Sequence, residues 1–139
     1  MADTLKSLPG YALRRAASAM MSEFAQRLAP LGLRYADVSA LVLIDANAGV
    51  TASQLGRMLD IQRANMVPLL NRIEGAGLIA RSPLDGKSHS LALTDAGKAK
   101  LVEAMAVIEA FEAWLLNRVP VQHRDHLKPA LDALWLGEG

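Results

Sequence analysis

The stretch from Thr51 to Thr94 constrains this chain more than any other, because two short helix patterns, a strand, an Asp-Gly turn and a second strand follow one another with no spare residue. Thr51-Ala52-Ser53-Gln54 reads as a capping box: the Thr51 hydroxyl accepts from the backbone N–H three residues on, and Gln54 reaches back to the cap. The helix it opens carries Leu55, Met58 and Leu59. It yields at Asp60-Ile61 to a turn and a second helical run with Val67, Leu70 and Ile73, closed by Gly75-Ala76-Gly77. Two helices so short and so tightly joined cannot lie antiparallel. They cross steeply, and the start of the second, Gln62 to Met66, projects from the body. Leu78 to Arg81 then reads as a strand, Pro83 to Lys87 as a turn, and Ser90 to Leu93 as the returning strand with Leu91 and Leu93 on one face.

The flanks are helical. After Pro9-Gly10, apolar residues recur at three or four from Leu13 through Phe24 to Leu28, which paints one face of a helix ending near Pro30. Asp37 to Ala48 forms another, carrying Val38, Leu41, Val42 and Ile44, and Gly49 closes it. Thr94-Asp95 caps a long helix to about Arg118, and Pro120 forces a break before a last helix ending near Trp135. The expected fold is mainly α (α+β): a single domain over 1–139, with a winged helix-turn-helix lobe at 35–97 and further helices at 8–30 and 98–136. The apolar stripes of those outer helices exceed what so small a lobe covers, so a second copy of the chain is expected there, as a dimerisation layer.

Composition narrows the function classes. An apolar fraction of 52% with only 4% aromatics, in a chain dominated by Ala and Leu, favours helices packed on small and γ-branched side chains. The chain has no cysteine, which excludes disulfides, Cys-ligated zinc and thiol-based sensing. A net charge of +1 argues against a binder that works by bulk charge, so placement must matter more than total. Residues 51–93 carry five basic groups against three acids, whereas the tail from Thr94 carries five against seven, so the middle suits phosphate. No apolar run is long enough to span a bilayer, and Met1 to Pro9 lacks a basic segment followed by an apolar stretch, so a soluble, cytoplasmic protein with no membrane partner is expected. The glycines sit at helix ends and the turn, and no Gly-x-Ser-x-Gly is present, so neither an enzyme nor a cofactor is expected.

Two segments carry a family resemblance. They are Arg72-Ile73-Glu74-Gly75-Ala76-Gly77-Leu78-Ile79-Ala80-Arg81 and Asp85-Gly86-Lys87-Ser88-His89-Ser90-Leu91-Ala92-Leu93-Thr94-Asp95-Ala96-Gly97. In order and spacing they resemble the multiple antibiotic resistance regulator (MarR) family of dimeric winged-helix transcription factors, and the likeness extends from about Leu8 to Trp135. It implies a homodimer with the first and the last two helices interlocked, and commonly a small-molecule pocket between that layer and the DNA lobes. Two departures stand out. Lys87 occupies the first basic position of the wing, where relatives usually carry arginine, so the planar fork suited to a narrow minor groove is missing there, and the second position is His89 followed by Ser90. Pro68 falls inside the second helix of the motif, where it removes the N–H that would bond the Ala64 carbonyl and is expected to bend the helix.

The candidate DNA contacts follow. Gln62, Arg63, Ala64 and Asn65 lie at the projecting helix start, where Arg suits guanine O6/N7 and Asn or Gln suits adenine N6/N7; the alternative is a solvated helix start. Thr51, Ser53 and Gln54 are expected at backbone phosphate, a role compatible with capping. Arg72 either reaches phosphate or pairs with Glu74, and Arg81 braces the wing through Asp85. Lys87, Ser88 and His89 form the wing tip. By the resemblance, Met20, Met21, Phe24, Leu31, Tyr35 and Trp114 line the region where relatives hold ligands, with core packing as the alternative. Arg14 and Arg15 suit a carboxylate or the phosphates of a larger effector, or else a salt bridge across the dimer. His123 and His126 have metal-compatible spacing, but with Asp125 as the sole adjacent acid no metal site is expected.

The combined expectation is a homodimeric repressor on double-stranded DNA at an inverted-repeat operator, released by an aromatic carboxylate, a phenolic compound or an acyl-CoA. An effector-independent regulator and a helical adaptor that binds protein are the alternatives.

Overall fold

A computed structural model describes residues 3–136. The chain falls into two compact units, one up to Val107 and one from Ile108 onward. The first holds α1 (Pro9–Leu28), α2 (Tyr35–Ala46), α3 (Ala52–Leu59), α4 (Arg63–Gly75), β1 (Ile79–Pro83), β2 (His89–Leu93) and the first part of α5 (Asp95–Arg118). The second holds the rest of α5 and α6 (Arg124–Trp135), joined through a single 3-10 turn at Val121–His123.

Local chemistry explains where these helices begin and end. Pro9 sits at the start of α1, where its missing N–H costs nothing. The helix expected from Asp37 begins two residues earlier, at Tyr35, because Asp37 acts from inside the first turn: its Oδ2 accepts the Arg34 backbone N–H at 2.8 Å. The capping box at α3 is complete, with the Gln54 N–H donating to Thr51 Oγ1 at 3.2 Å and the Thr51 N–H donating to Gln54 Oε1 at 2.9 Å. Asp60 then ends α3 in the left-handed conformation (φ 54°), which aspartate tolerates better than most side chains. The helix α4 runs unbroken through Pro68. Ala64 and Pro68 are both exposed, so the donor that proline lacks falls on the solvent side of the helix.

The first unit closes on Leu28, Leu41, Leu55, Ile73 and Leu91, all essentially inaccessible to water, with Val38, Ile44, Met66 and Leu70 around them. Each such residue contributes about 2 kcal/mol by leaving water, and together they seat α2, α3 and α4 on one face of the hairpin. β1 and β2 pair antiparallel from Ile79 opposite Leu93 to Pro83 opposite His89. Pro83, expected in the turn, therefore ends the strand, a position where a residue without an N–H is tolerated. The loop shifts to Leu84–Ser88, closed by Leu84 N–H to the Ser88 carbonyl at 2.9 Å and Ser88 N–H to the Asp85 carbonyl at 3.0 Å. A third extended piece lies against β2: Thr51 bridges Ser90, and the Leu91 N–H donates to the Val50 carbonyl at 2.8 Å. That pairing ties the wing directly to the start of α3.

Where β2 meets α5, three contacts converge on one turn. Thr94 Oγ1 donates to the Gly77 carbonyl at 2.5 Å and accepts the Gly97 N–H at 3.0 Å, while the Thr94 N–H donates to the Leu78 carbonyl at 3.0 Å. Gly97 is buried so closely against Leu78 that any Cβ there would collide with the Leu78 carbonyl oxygen. Neither backbone can yield without breaking the Thr94 cap. Gly97→Ala is therefore expected to destabilise the protein by more than about 2 kcal/mol in urea unfolding at fixed protein concentration, and wild-type stability in that variant would refute the close approach.

Candidate nucleic-acid interface

A cleft of about 670 Å³ runs between α3, α4 and the wing. Thr51 and Ser53 line it from the start of α3, Gln62, Arg63, Met66, Val67 and Leu70 from α4 and its cap, Lys87 and Ser88 from the wing loop, and His89 from the start of β2. These are the segments that the sequence marked for DNA, and tertiary packing gathers them on one surface. Gln54 and Asn65 are exposed beside the cleft and Ala64 lies between Arg63 and Asn65 on the same exposed helix start. Among the described residues neither Arg63 nor Lys87 enters an ion pair, so both cations face solvent uncommitted. Asp60 is the one acid lining the cleft, against Arg57, Arg63, Arg81 and Lys87. The field there favours an anion, and the shape is an open channel suited to a polyanionic rod or strand.

Two arginines behave differently from the expectation. Arg72 turns inward: its Nη2 lies 2.6 Å and its Nε 3.1 Å from Oδ1 of Asp37. Asp37 is 2% exposed, so this bond answers a buried charge, and Arg72 is removed from the candidate phosphate contacts. Its ion-pair partner is Asp37, not Glu74. Glu74 instead pairs with Arg81 at 3.3 Å, in a geometry too oblique for a hydrogen bond from Nε, while Arg81 Nη2 donates to Asn71 Oδ1 at 3.2 Å. Arg81 thus braces β1 against α4, not against Asp85 at the wing tip.

Arg57 went unremarked in the sequence beyond its charge. It lines the cleft, and its Nη1 donates to Ser53 Oγ at 3.0 Å, which holds the guanidinium beside the α3 start with its other N–H groups open. The signal was present as the four-residue spacing between Ser53 and Arg57 on one helix face.

The residues expected at an effector are less gathered. Arg14 and Arg15 are exposed on α1, Met20 is half-buried and Met21 is exposed. Phe24 is buried and meets Tyr35 edge to face at 5.8 Å. Leu31 lines a second cavity of about 260 Å³, with Leu33, Asp37, Arg72, Leu78 and Lys100. Trp114 belongs to the second unit, where it stacks on Phe111 at 5.9 Å and lies under Arg118 at 5.0 Å. His123 and His126 are exposed, and no cluster of three metal-ligating side chains exists among the described residues.

The Asp37 pair and the Arg63 surface make opposite predictions. Arg72→Ala strands a buried carboxylate and is expected to cost about 2 kcal/mol of stability, since Arg72 is itself partly solvated. Arg63→Ala is expected to leave stability within about 0.5 kcal/mol. Thermal unfolding of the two variants side by side tests both, and equal, small losses would contradict the assignment.

A family model described as MarR family matches residues 31–88, the segment from just after the first helix to the wing loop. The HTH-type transcriptional repressor Rv2887 of Mycobacterium tuberculosis is 30% identical over 127 residues, covering 90% of this chain and 91% of the relative. Among solved structures, the transcriptional repressor CouR bound to a 23-mer DNA duplex is 38% identical with a TM-score of 0.87, covering 94% of both chains. CouR bound to p-coumaroyl-CoA is 34% identical, also with a TM-score of 0.87, and covers 96% of both. With its helix-turn-helix, its wing and a relative of this identity spanning nearly its whole length, the chain belongs to the MarR family.

Proposed function

We propose that this chain is a homodimeric, sequence-specific transcriptional repressor whose cleft between α4 and the wing holds double-stranded DNA, one cleft per half-site of an inverted repeat. The observation that carries this reading is the cleft itself, where Arg63 and Lys87 stand uncommitted beside the polar start of α4. Likeness to CouR in a DNA complex supports the same occupant. On this reading Arg63 and its neighbours enter the major groove while Lys87, Ser88 and His89 follow the backbone of the adjacent minor groove. Lysine in place of a forked arginine makes the wing a charge contact more than a shape reader.

Exposed apolar side chains in each unit support a second copy as partner: Leu5, Leu8 and Leu13 near the N-terminus, and Leu134, Trp135 and Leu136 at the end of α6. No helix of the described residues is long and apolar enough to cross a membrane, and a cytoplasmic protein fits a role on DNA. The chain's chemistry on this reading is binding, not catalysis. Likeness to CouR with p-coumaroyl-CoA supports an effector that is the CoA thioester of an aromatic acid, with free aromatic or phenolic acids as the smaller alternatives. Arg14 and Arg15, adjacent and exposed on α1, are suited to its phosphates. Such a ligand releases DNA only if it binds the free arrangement of the two lobes more tightly than the bound one.

Duplexes enriched by the protein from a randomised pool provide the test. Arg63→Ala is expected to weaken binding to the enriched duplex roughly tenfold or more and to narrow its margin over a scrambled one. Lys87→Ala should weaken both duplexes alike and lower the salt slope by about one. Unchanged binding by Arg63→Ala would remove the cleft from the interface. For the effector, p-coumaroyl-CoA is expected to release the duplex from wild type and to do so less effectively from Arg14→Ala/Arg15→Ala, whose DNA affinity stays the same. Release by coenzyme A alone, or undiminished release from the double variant, would contradict the assignment.

A further inference from the structure

The outward face of α4 is not polar throughout. Helical geometry, about 100° per residue, places Met66, Leu69, Leu70 and Ile73 on the buried arc and Ala64, Val67, Pro68 and Asn71 on the outward side, with Arg63 at the edge between the two. Three of those four outward residues are apolar. Of these three, Val67 is the one that lines the cleft, and it is 52% exposed on the turn after Arg63. A single exposed valine on a surface needs no explanation, but this one stands in a channel whose rim is cationic; of the other residues that α4 and its cap give the cleft, Met66 and Leu70 are buried, and the exposed ones, Gln62 and Arg63, are hydrogen-bonding side chains. Its isopropyl group neither donates nor accepts. In the major groove, one feature of the bases matches it: the C5-methyl of thymine.

We propose that Val67 is a specificity-determining residue that reads a thymine methyl beside the base contacted by Arg63. This deepens the repressor reading and rests on it. Four residues of helix advance about 6 Å, against 3.4 Å per base pair, so the thymine falls one or two base pairs from the Arg63 contact. Arg63 reads by hydrogen bonds and Val67 by removing a methyl from water, so neighbouring positions of the half-site are specified by different physics. Nothing about this depends on the wing, where Lys87 supplies charge without sequence.

Deoxyuridine in place of thymine deletes the methyl and leaves base pairing intact, which isolates the contact. Each thymine of one half-site in the enriched duplex is replaced in turn. Wild type is expected to bind about fourfold more weakly at one position, the worth of one buried methyl, within two base pairs of the position that Arg63→Ala ceases to discriminate. Val67→Ala is expected to bind the thymine and uracil duplexes equally there, while still preferring either to a scrambled duplex. Val67→Thr, which keeps the shape and exchanges one methyl for a hydroxyl, should also narrow the difference, and it provides a second readout if the alanine variant alters the helix. Equal wild-type binding at every thymine, or full discrimination retained by both variants, would overturn the inference. Loss of preference for the enriched over the scrambled duplex in wild type would instead overturn the repressor reading, and the inference with it.

Discussion

One buried carboxylate holds the cleft-bearing part of this protein in place. Asp37 is the sole buried charged side chain among the described residues, and it is answered on both oxygens: the Arg34 N–H on Oδ2 and two N–H groups of Arg72 on Oδ1. An isolated carboxylate at that depth would cost several kcal/mol, so the site persists only with all three donors present. Arg34 caps α2 and Arg72 lies in the last turns of α4, so one side chain sets the start of the first helix against the end of the second. The apolar contacts of Leu41, Leu55 and Ile73 supply most of the free energy. They are non-directional, and the Asp37 bonds choose among the ways those surfaces can meet.

Fixing one end of α4 directs the other. Arg63 and Val67 stand at the free end of a helix whose C-terminal half is anchored by Arg72 and, through Asn71 and Glu74, by Arg81 from β1. The wing is tied to the same frame by a different route, since β2 pairs on one side with β1 and on the other with the residues that open α3. Movement of the wing therefore pulls on the Thr51 cap, and movement of α5 pulls on Leu78 through the Thr94 and Gly97 contacts. These backbone links join every cleft-lining element to the helix that leads into the second unit. On the proposed reading, an effector that changes the spacing of two such lobes has a short and continuous chain of hydrogen bonds to act on.

Features closed within four residues were legible in the sequence, because both partners are visible in one glance at the chain. The capping box at Thr51 and Gln54, the left-handed Gly49 and Gly77, and the break at Pro120 are of this kind. Pairings across the fold were not. Asp37 looked like a helix start, and nothing local distinguishes a capping aspartate from one that also binds an arginine 35 residues away. For the same reason Arg81 was matched with the nearest acid along the hairpin when its partners lie on α4. The turn lies one residue later than expected because Pro83 suits a turn and a strand end equally. The cleft residues were legible as separate segments, and only packing makes them one surface. Residues expected at an effector were carried by resemblance, and whether Met20, Phe24 and Tyr35 serve a ligand or the core depends on side-chain environments that periodicity does not encode.

Amide hydrogen exchange of the protein with and without its enriched duplex tests most directly whether the cleft seats DNA. Slowed exchange concentrated at Thr51–Gln54, Gln62–Val67 and Leu84–Ser90 is the predicted result, with the amides around Arg72 already protected in the free protein by the α4 backbone bonds that the Asp37 pair anchors. Protection that falls on α1 or on the segment from Ile108 onward, with the three cleft segments exchanging as in the free protein, would contradict it.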